Sequence, residues 1–273
     1  AEINPRWRTV DSTRTDIPLR TFHKHRQAIE EMFDINIECD KCTNTYYIAD
    51  AEGMLGDKLK MWLLNSFSLN NILQENVDMK NRIVFEEAPL GLQYMDIIID
   101  AMRAGSVLHM EYQAYNWEQP KEVCLEPYFL KLFRHRWYLI GVNRKYEAFR
   151  SYSLDRIKSV RTGNDTFRFP RKFTPQDYFQ NCFGIIRDEA QQPQRTVLRV
   201  VAEQAPYLRN LPLHPSQQEI VTTDTYTDFE MYISHTYDFI QELLSKGSTV
   251  EVLEPQSLRD LMKAEIEKMQ KLY

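Results

Sequence analysis

The sequence predicts an α+β protein built from several domains. At 273 residues the chain is longer than one small hydrophobic core usually serves, so two or three domains are expected. Residues 107–163 indicate five short strands separated by polar turns, at the spacing of a small closed β unit. Residues 195–273 then follow the order β-α-β-β-α-β, the pattern of a split βαβ, ferredoxin-like domain.

Composition limits the class of protein. The chain is 43% hydrophobic and 27% charged, which is typical of a folded soluble protein. No apolar run approaches the roughly 20 residues that span a bilayer, and we find no signal peptide, so we expect no membrane partner. The chain has 4 cysteines, too few for a disulfide framework, which suits a reducing cytoplasm. With a net charge of −5, nucleic-acid binding requires a local basic face.

A run of strands forms the centre of the chain. Residues 107–115 alternate apolar and polar side chains, with Tyr112 on the apolar face. Residues 122–133 form the next strand, and Pro127 predicts that it lies at an edge or bends, because proline donates no ladder hydrogen bond. Residues 136–142 are apolar on both faces, as a strand in the middle of a small barrel would be.

Two motifs in this run carry a family resemblance. Residues 137–139 read Trp-Tyr-Leu, and residues 150–157 follow at the right distance with Arg-Ser-Tyr-Ser-Leu-Asp-Arg-Ile. Together they resemble the WYL domain, a bacterial family found mostly in transcriptional regulators. The resemblance implies an Sm-like, five-stranded β-barrel between a winged helix-turn-helix and a C-terminal WCX extension. There are two departures, since residues 135–136 replace a common glycine and Ser153 replaces a family arginine.

The same stretch is locally basic. Residues 107–163 hold ten Lys and Arg against six Asp and Glu, in a chain that is negative overall. Arginines beside tyrosines offer forked donors for phosphate and flat surfaces for bases. The resemblance implies a sensor of nucleotides or single-stranded nucleic acid. Its expected ligand-binding residues are Tyr112, Tyr138, Arg150, Ser153 and Arg156. The alternative for residues 155–156 is a simple turn ion pair.

Residues 1–50 predict a partial winged helix-turn-helix. Residues 18–33 have a helical apolar stripe, and residues 35–39 and 43–48 alternate around a polar turn, as in a hairpin that forms a wing. Residues 2–8 resemble the end of a preceding helix, but the first helix expected before it is absent from the sequence, which begins without an initiating Met. We therefore expect an N-terminal piece to be missing.

The start of the predicted helix is the basic part of this segment. Residues 6–26 contain six Lys and Arg against two Asp, whereas the rest of the segment is acidic. The N-terminal residues of a recognition helix touch bases in the major groove while nearby cations hold phosphates. The expected contacts to duplex DNA are Arg20, Thr21, His23, Lys24 and Arg26. The alternative is an ordinary helix and hairpin packed on the next domain.

The predicted domain boundaries follow from these patterns. They are residues 1–50 for the partial winged helix-turn-helix, 51–90 for a helical connector, 91–165 for the WYL barrel, 166–194 for a linker and 195–273 for the C-terminal extension. The connector contains a helix over residues 56–76 and a short strand over residues 82–88. The helix serves either a dimer interface or simple domain packing, and we expect a homodimer.

Metal, cofactor and enzyme motifs are not predicted. Cys39 and Cys42 have a ligand-like spacing, but a metal site needs two further ligands and only His23 and His25 are near in sequence. A redox pair usually lies at a helix N-terminus, whereas this one falls on a predicted turn. We find no glycine-rich phosphate loop and no nucleophile with an evident base.

These observations predict a ligand-responsive DNA-binding transcriptional regulator that is not an enzyme and needs no cofactor or metal. The alternative is a nucleic-acid- or nucleotide-binding accessory protein that binds no operator.

Overall fold

The computed structural model describes residues 3–10, 15–51, 53, 57–75, 82 and 91–273. The chain divides into two compact units, residues 1–86 and 87–273, and each is described by itself. The strand predicted over residues 82–88 lies almost wholly outside the described residues. Within the described ranges, no helix combines the length and the apolar character needed to cross a membrane.

The first unit contains helices and one hairpin. Its elements are α1 (Ile3–Val10), α2 (Leu19–Phe33), β1 (Ile37–Asp40), β2 (Thr45–Ile48) and α3 (Lys58–Glu75). The carboxylate of Asp40 builds the hairpin turn, because it accepts hydrogen bonds from the backbone N–H of Cys42 and the hydroxyl of Thr43. Cys39 lies in β1 and Cys42 in this turn, so the predicted hairpin is present and includes both cysteines.

Aromatic contacts hold α2 on two sides. The ring of Phe22 meets Tyr46 of the hairpin edge-on, with 4.8 Å between ring centroids. At the other end of α2, the buried Phe33 meets Phe67 of α3 at 5.7 Å. The helix predicted over residues 18–33 is therefore confirmed, and its orientation is fixed by the hairpin and α3.

The second unit begins with a helix and a five-stranded antiparallel sheet. The strands are β3 (Ser106–Tyr112), β4 (Lys121–Phe133), β5 (Arg136–Asn143), β6 (Ala148–Ser153) and β7 (Ile157–Thr166), in the spatial order β6-β5-β4-β3-β7. Helix α4 (Met95–Ala104) packs on one face through the buried Ile98 and Ala101. The five predicted strands are confirmed. No ladder joins the edge strands β6 and β7 within residues 91–273, so the predicted barrel is not closed, and its Sm-like character stays a prediction.

Pro127 lies in β4, which is not an edge strand because it pairs with both β3 and β5. The ladder with β3 ends at Leu125, however, so Pro127 itself pairs only with Gly141 of β5. The register with β5 shifts between Pro127 and Phe129, and a shift of this kind bends a strand. The register shift supports the predicted bend.

The turn between β4 and β5 has an unusual backbone. Arg134 and His135 have φ angles of 48° and 61°, the left-handed region that two-residue hairpin turns usually fill with glycine or asparagine. Such a conformation costs a non-glycine residue on the order of 1 kcal/mol. Arg134 makes contacts that glycine could not, because its guanidinium pairs with Glu242 and lies 5.8 Å from the ring centroid of Phe183.

A second antiparallel sheet forms the end of the chain. Its elements are β8 (Gln194–Val201), α6 (Ala205–Asn210), β9 (Gln218–Thr222), β10 (Tyr226–Ile233), α7 (Tyr237–Ser245), β11 (Val250–Glu254) and α8 (Gln256–Gln270), with the strands in the order β11-β8-β10-β9. The core contains Leu198, Phe229 and Phe239, all fully buried. The predicted β-α-β-β-α-β order is present, while the ferredoxin-like assignment stays a prediction.

The segment between the sheets packs on the first one. It contains the short helix α5 (Pro175–Phe179), whose Tyr178 ring lies 4.8 Å from Phe149 of β6. Ser151 of β6 donates a hydrogen bond of 3.2 Å to the Ile185 carbonyl, and Lys131 of β4 donates to the Gly184 carbonyl. The predicted linker is thus bonded to β4 and β6.

Two buried histidines give the terminal domain a pH-dependent stability. Burial holds the pKa of His214 and of His235 below the ordinary value of 6.5. The unfolded chain then binds protons that the folded chain does not, so stability is full above about pH 7 and falls as the pH drops from 6.5 through the lowered folded-state pKa. We expect a lower urea midpoint at about pH 5.5 than at about pH 7.5, with most of this difference lost in His214→Gln/His235→Gln. A His23→Gln variant at an exposed position is the control, and an unchanged difference in the double variant would contradict this origin.

Candidate functional site

A cluster of charged and aromatic side chains lies at one end of the five-stranded sheet. We call it the arginine cluster, and its members are Tyr115, Arg136, Ser153, Asp155 and Arg156. Nη1 of Arg136 donates hydrogen bonds to the Tyr115 hydroxyl at 2.8 Å and to Oδ2 of Asp155 at 3.3 Å. The guanidinium carbon of Arg156 lies 3.7 Å from the centroid of the Tyr115 ring. Ser153 donates from its hydroxyl to Oδ1 of Asp155.

Local backbone geometry brings these side chains together. Arg136 is the first residue of β5, and the one-turn 3-10 segment Leu154–Arg156 follows β6. Gly91 has a φ of 62°, and a Cβ there would lie 2.4 Å from the backbone nitrogen of Asp155. Glycine at this position therefore lets the 3-10 turn approach closely. The backbone N–H of Gln113 donates to the Arg156 carbonyl at 3.2 Å and ties the end of β3 to the same turn.

The side chains of the arginine cluster differ widely in their exposure to solvent. The side chain of Asp155 is 9% exposed and that of Arg136 is 30% exposed, whereas Tyr115 is 74% exposed. Among the described residues, Nε of Arg156 is buried and has no hydrogen-bond partner. Buried donors are normally paired, so this Nε is an unsatisfied donor within the cluster.

The two arginines dominate the electrostatics. Hydrogen bonding to Arg136, and next to Arg156, lowers the pKa of Tyr115. Burial raises the pKa of Tyr112, whose hydroxyl accepts a 3.3 Å hydrogen bond from the backbone of Ser153 and lies near Arg156. Among its five members, the cluster sets two guanidinium groups against one carboxylate. An added anion would therefore find a favourable environment.

The structure separates the five predicted ligand residues. Ser153 and Arg156 belong to the arginine cluster, and the Tyr112 hydroxyl borders it while its ring is core. Tyr138 pairs with Ser153 across the ladder, but it packs against the cluster of Phe129, Ile140 and Tyr178. Arg150 donates to the Phe149 carbonyl at 3.1 Å and lies 5.7 Å from the Tyr146 ring centroid.

Sequence reasoning missed Tyr115 and Arg136. Arg136 is one of the ten cations of residues 107–163, but its position at the start of a strand that is apolar on both faces did not single it out. Tyr115 lies in the turn after β3, where no periodicity indicates the direction of a side chain. The alternative of an ion pair within residues 155–156 is replaced by a different arrangement, in which Asp155 pairs with Arg136 and Arg156 stacks on Tyr115.

The predicted DNA contacts on α2 also divide into two groups. Arg20, His23 and Lys24 are exposed and share one helical stripe. Thr21 is half-buried. Arg26 is half-buried too, 3.5 Å from Glu30 and 5.9 Å from the Tyr46 ring centroid, so it faces the hairpin. The solvent-facing part of the predicted site is therefore the stripe of Arg20, His23 and Lys24.

Two protein-family models match the second unit. The WYL domain matches residues 93–162 and the WCX domain matches residues 192–270. The five-stranded sheet with its arginine cluster is thus a WYL domain, and the terminal sheet with its helices is a WCX domain. The chain is a WYL-domain protein, and the resemblance drawn from residues 137–139 and 150–157 is confirmed.

Two similar solved structures share little sequence identity with this chain. Proteasome accessory factor B/C (PafBC) of Arthrobacter aurescens is 19% identical with a TM-score of 0.35, over 91% of this chain and 40% of that one. A CRISPR Cas-related protein is 12% identical with a TM-score of 0.43, over 67% of this chain and 52% of that one. The chain thus spans about half of each length or less, and similarities this low do not establish a shared function. No curated protein matches the chain significantly.

Proposed function

We propose that this protein is a ligand-responsive, DNA-binding transcriptional regulator that acts as a homodimer. In this proposal the WYL domain binds a nucleotide or single-stranded nucleic acid, and α2 with its hairpin binds operator DNA as part of a winged helix-turn-helix. The observation that carries the proposal is the arginine cluster, in which one guanidinium group stacks on an exposed tyrosine ring and another donates to its hydroxyl and to a carboxylate.

The chemistry of the cluster suits a nucleotide. A guanidinium group presents forked N–H donors that match phosphate oxygens, and its flat face stacks on rings. Arg136 supplies donors of this kind, since its Nη1 donates to a hydroxyl and to a carboxylate oxygen. Arg156 shows the stacking, since it lies on the Tyr115 ring and keeps Nε unpaired among the described residues. Sequence-independent binding of single strands uses the same two contacts, backbone charge and base stacking.

The position of the cluster offers a route to the WCX domain. Arg136 follows the β4–β5 turn, in which Arg134 pairs with Glu242 of α7. On the same strand pair, Lys131 donates to the carbonyl of Gly184 in the segment that leads into the WCX domain. A ligand that binds two arrangements of this turn unequally would shift the population between them. We propose that the WCX domain passes this shift to the dimer.

The DNA-binding part is tested on α2. Arg20→Ala/Lys24→Ala removes two exposed cations, so each lost phosphate contact should lower the slope of log affinity against log salt by about one. The measurement is fluorescence anisotropy of the complete gene product on a labelled duplex from upstream of its own gene, at several salt concentrations. Gln27→Ala/Glu31→Ala is the matched control, since these side chains bond to each other at 3.0 Å on the same stripe and carry no cation.

Two results of this titration would contradict operator binding by α2. In one, the control weakens duplex binding as much as the cationic pair does. In the other, the complete protein binds single strands but no duplex at any salt concentration. The second result favours the accessory protein, a nucleic-acid- or nucleotide-binding module without an operator.

A further inference from the structure

Tyr115 is held by contacts that are unusual for so exposed a side chain. It lies in the turn between β3 and β4 and is 74% exposed. One face of its ring covers the guanidinium of Arg156 at 3.7 Å, and its hydroxyl accepts a 2.8 Å hydrogen bond from Arg136. A single side chain thus places a flat ring on one arginine and an oxygen on the other.

A nucleotide offers the same two features as Tyr115. Its base is a flat ring that can stack on a guanidinium, and its phosphate carries oxygens that accept hydrogen bonds from one. We propose that the arginine cluster takes an aromatic anion, with the ring on Arg156 and the anionic oxygen on Arg136, and that Tyr115 occupies this position until the ligand displaces it. This inference rests on the proposed ligand site. It adds the chemical class of the ligand and names Tyr115 as its internal competitor.

The turn is anchored by residues other than Tyr115. Nε2 of Gln113 donates to the carbonyls of Trp117 at 3.3 Å and Glu118 at 3.4 Å, and the Trp117 N–H donates to the Ala114 carbonyl at 3.0 Å. Trp117 also packs against the WYL core. Rotation of the Tyr115 side chain into solvent leaves all of these contacts in place.

The arginines stay positioned when Tyr115 leaves. Arg136 keeps Asp155 at 3.3 Å, and Asp155 is held in turn by the hydroxyl of Ser153. The backbone of Arg156 stays bonded to Gln113 at 3.2 Å. The position that Tyr115 vacates is therefore preorganised. The ligand takes over the two contacts that Tyr115 made, namely the stacking face of Arg156 and the Nη1 donor of Arg136.

The test is isothermal titration calorimetry of the full chain with four probes: adenosine 5′-monophosphate, ribose 5-phosphate, adenosine and a single-stranded oligonucleotide. If Tyr115 covers the site about nine-tenths of the time, its removal should tighten binding about tenfold. We expect Tyr115→Ala to bind adenosine 5′-monophosphate about tenfold more tightly than the wild type, with Tyr115→Phe in between. Tyr146→Ala, at a tyrosine that is 58% exposed and lies near Arg150, should leave the affinity unchanged. Both ribose 5-phosphate and adenosine should bind more weakly than the nucleotide.

Each contrary result has a separate meaning. If Tyr115→Ala weakens nucleotide binding, Tyr115 is a ligand contact. This result would refute its role as an internal competitor but would leave the ligand site in place. If ribose 5-phosphate binds as tightly as the nucleotide, or if only a single-stranded oligonucleotide binds, the ring-plus-anion class is overturned. If neither the nucleotide nor the oligonucleotide binds to any variant, the ligand part of the proposed function fails, and this inference fails with it.

Discussion

Replacing Asp238 with alanine should lower the free energy of unfolding of the WCX domain by about 3–5 kcal/mol, because buried donors would be left without an acceptor. Asp238 is 9% exposed. One carboxylate oxygen accepts from the backbone N–H groups of Ile185 and Ile186 at 3.0 and 3.2 Å, and the other accepts from that of Phe239 at 3.0 Å. The hydroxyl of Thr236 donates to the same carboxylate.

Thermal melts by circular dichroism, with hydrogen exchange at residues 185 and 186, measure this effect. Asp188→Ala is the matched control, since Asp188 is an exposed acid of the same segment and accepts a 3.0 Å bond from the Ala190 N–H. We expect a large fall in melting temperature and rapid exchange for Asp238→Ala alone. Superimposed melting curves for the two variants would show that Asp238 does not hold this segment.

The Asp238 carboxylate also explains why residue 184 is a glycine. A Cβ at Gly184 would lie 2.4 Å from Oδ2 of Asp238 and 2.6 Å from the ring of Phe133. The absence of a side chain at Gly184 therefore lets the WYL sheet and α7 approach the segment between them. If the ligand acts through this junction, Asp238→Ala should weaken regulation while the arginine cluster still binds its ligand.

Arg136→Ala/Arg156→Ala should reduce the affinity for a single-stranded oligonucleotide by at least about 100-fold. Each arginine supplies charge-assisted contacts, and two such losses reach this size. Arg150→Ala is the matched control, because the sequence assigned Arg150 to the ligand whereas the structure places it against Tyr146 and the Phe149 carbonyl. We expect Arg150→Ala to change the affinity by less than about threefold.

Anisotropy titration with a labelled oligonucleotide at two salt concentrations compares these variants. Equal losses for Arg150→Ala and the double variant would indicate general attraction to a basic domain rather than a site at the cluster. Retained affinity in the double variant would place the ligand elsewhere.

Local patterns explain what the sequence predicted well. Strand periodicity identified β3 and the burial of Tyr112, and helical periodicity identified α2, because both depend on neighbours a few residues apart. The triplet at residues 137–139 with the motif at residues 150–157 identified the WYL domain, as the family model confirms.

Contacts between distant segments explain what the sequence did not predict. Tyr115 and Arg136 are 21 residues apart and meet only after β3, β4 and β5 have paired. The open edge between β6 and β7 depends on sheet curvature, which no side-chain pattern in the five strands encodes. Arg26 was assigned to DNA from its charge, and only the hairpin ring of Tyr46 reveals which way it faces.

The most direct test of the account is whether a ligand at the arginine cluster changes DNA binding. The measurement is duplex affinity of the complete gene product, by anisotropy at fixed salt, with and without a saturating unlabelled single-stranded oligonucleotide. We expect a shift of at least about fivefold in the wild type, the lower end of typical allosteric coupling, and no shift in Arg136→Ala/Arg156→Ala. A shift of equal size in that variant would mean that the single strand competes directly for the DNA-binding surface. It would contradict a regulatory site in the WYL domain.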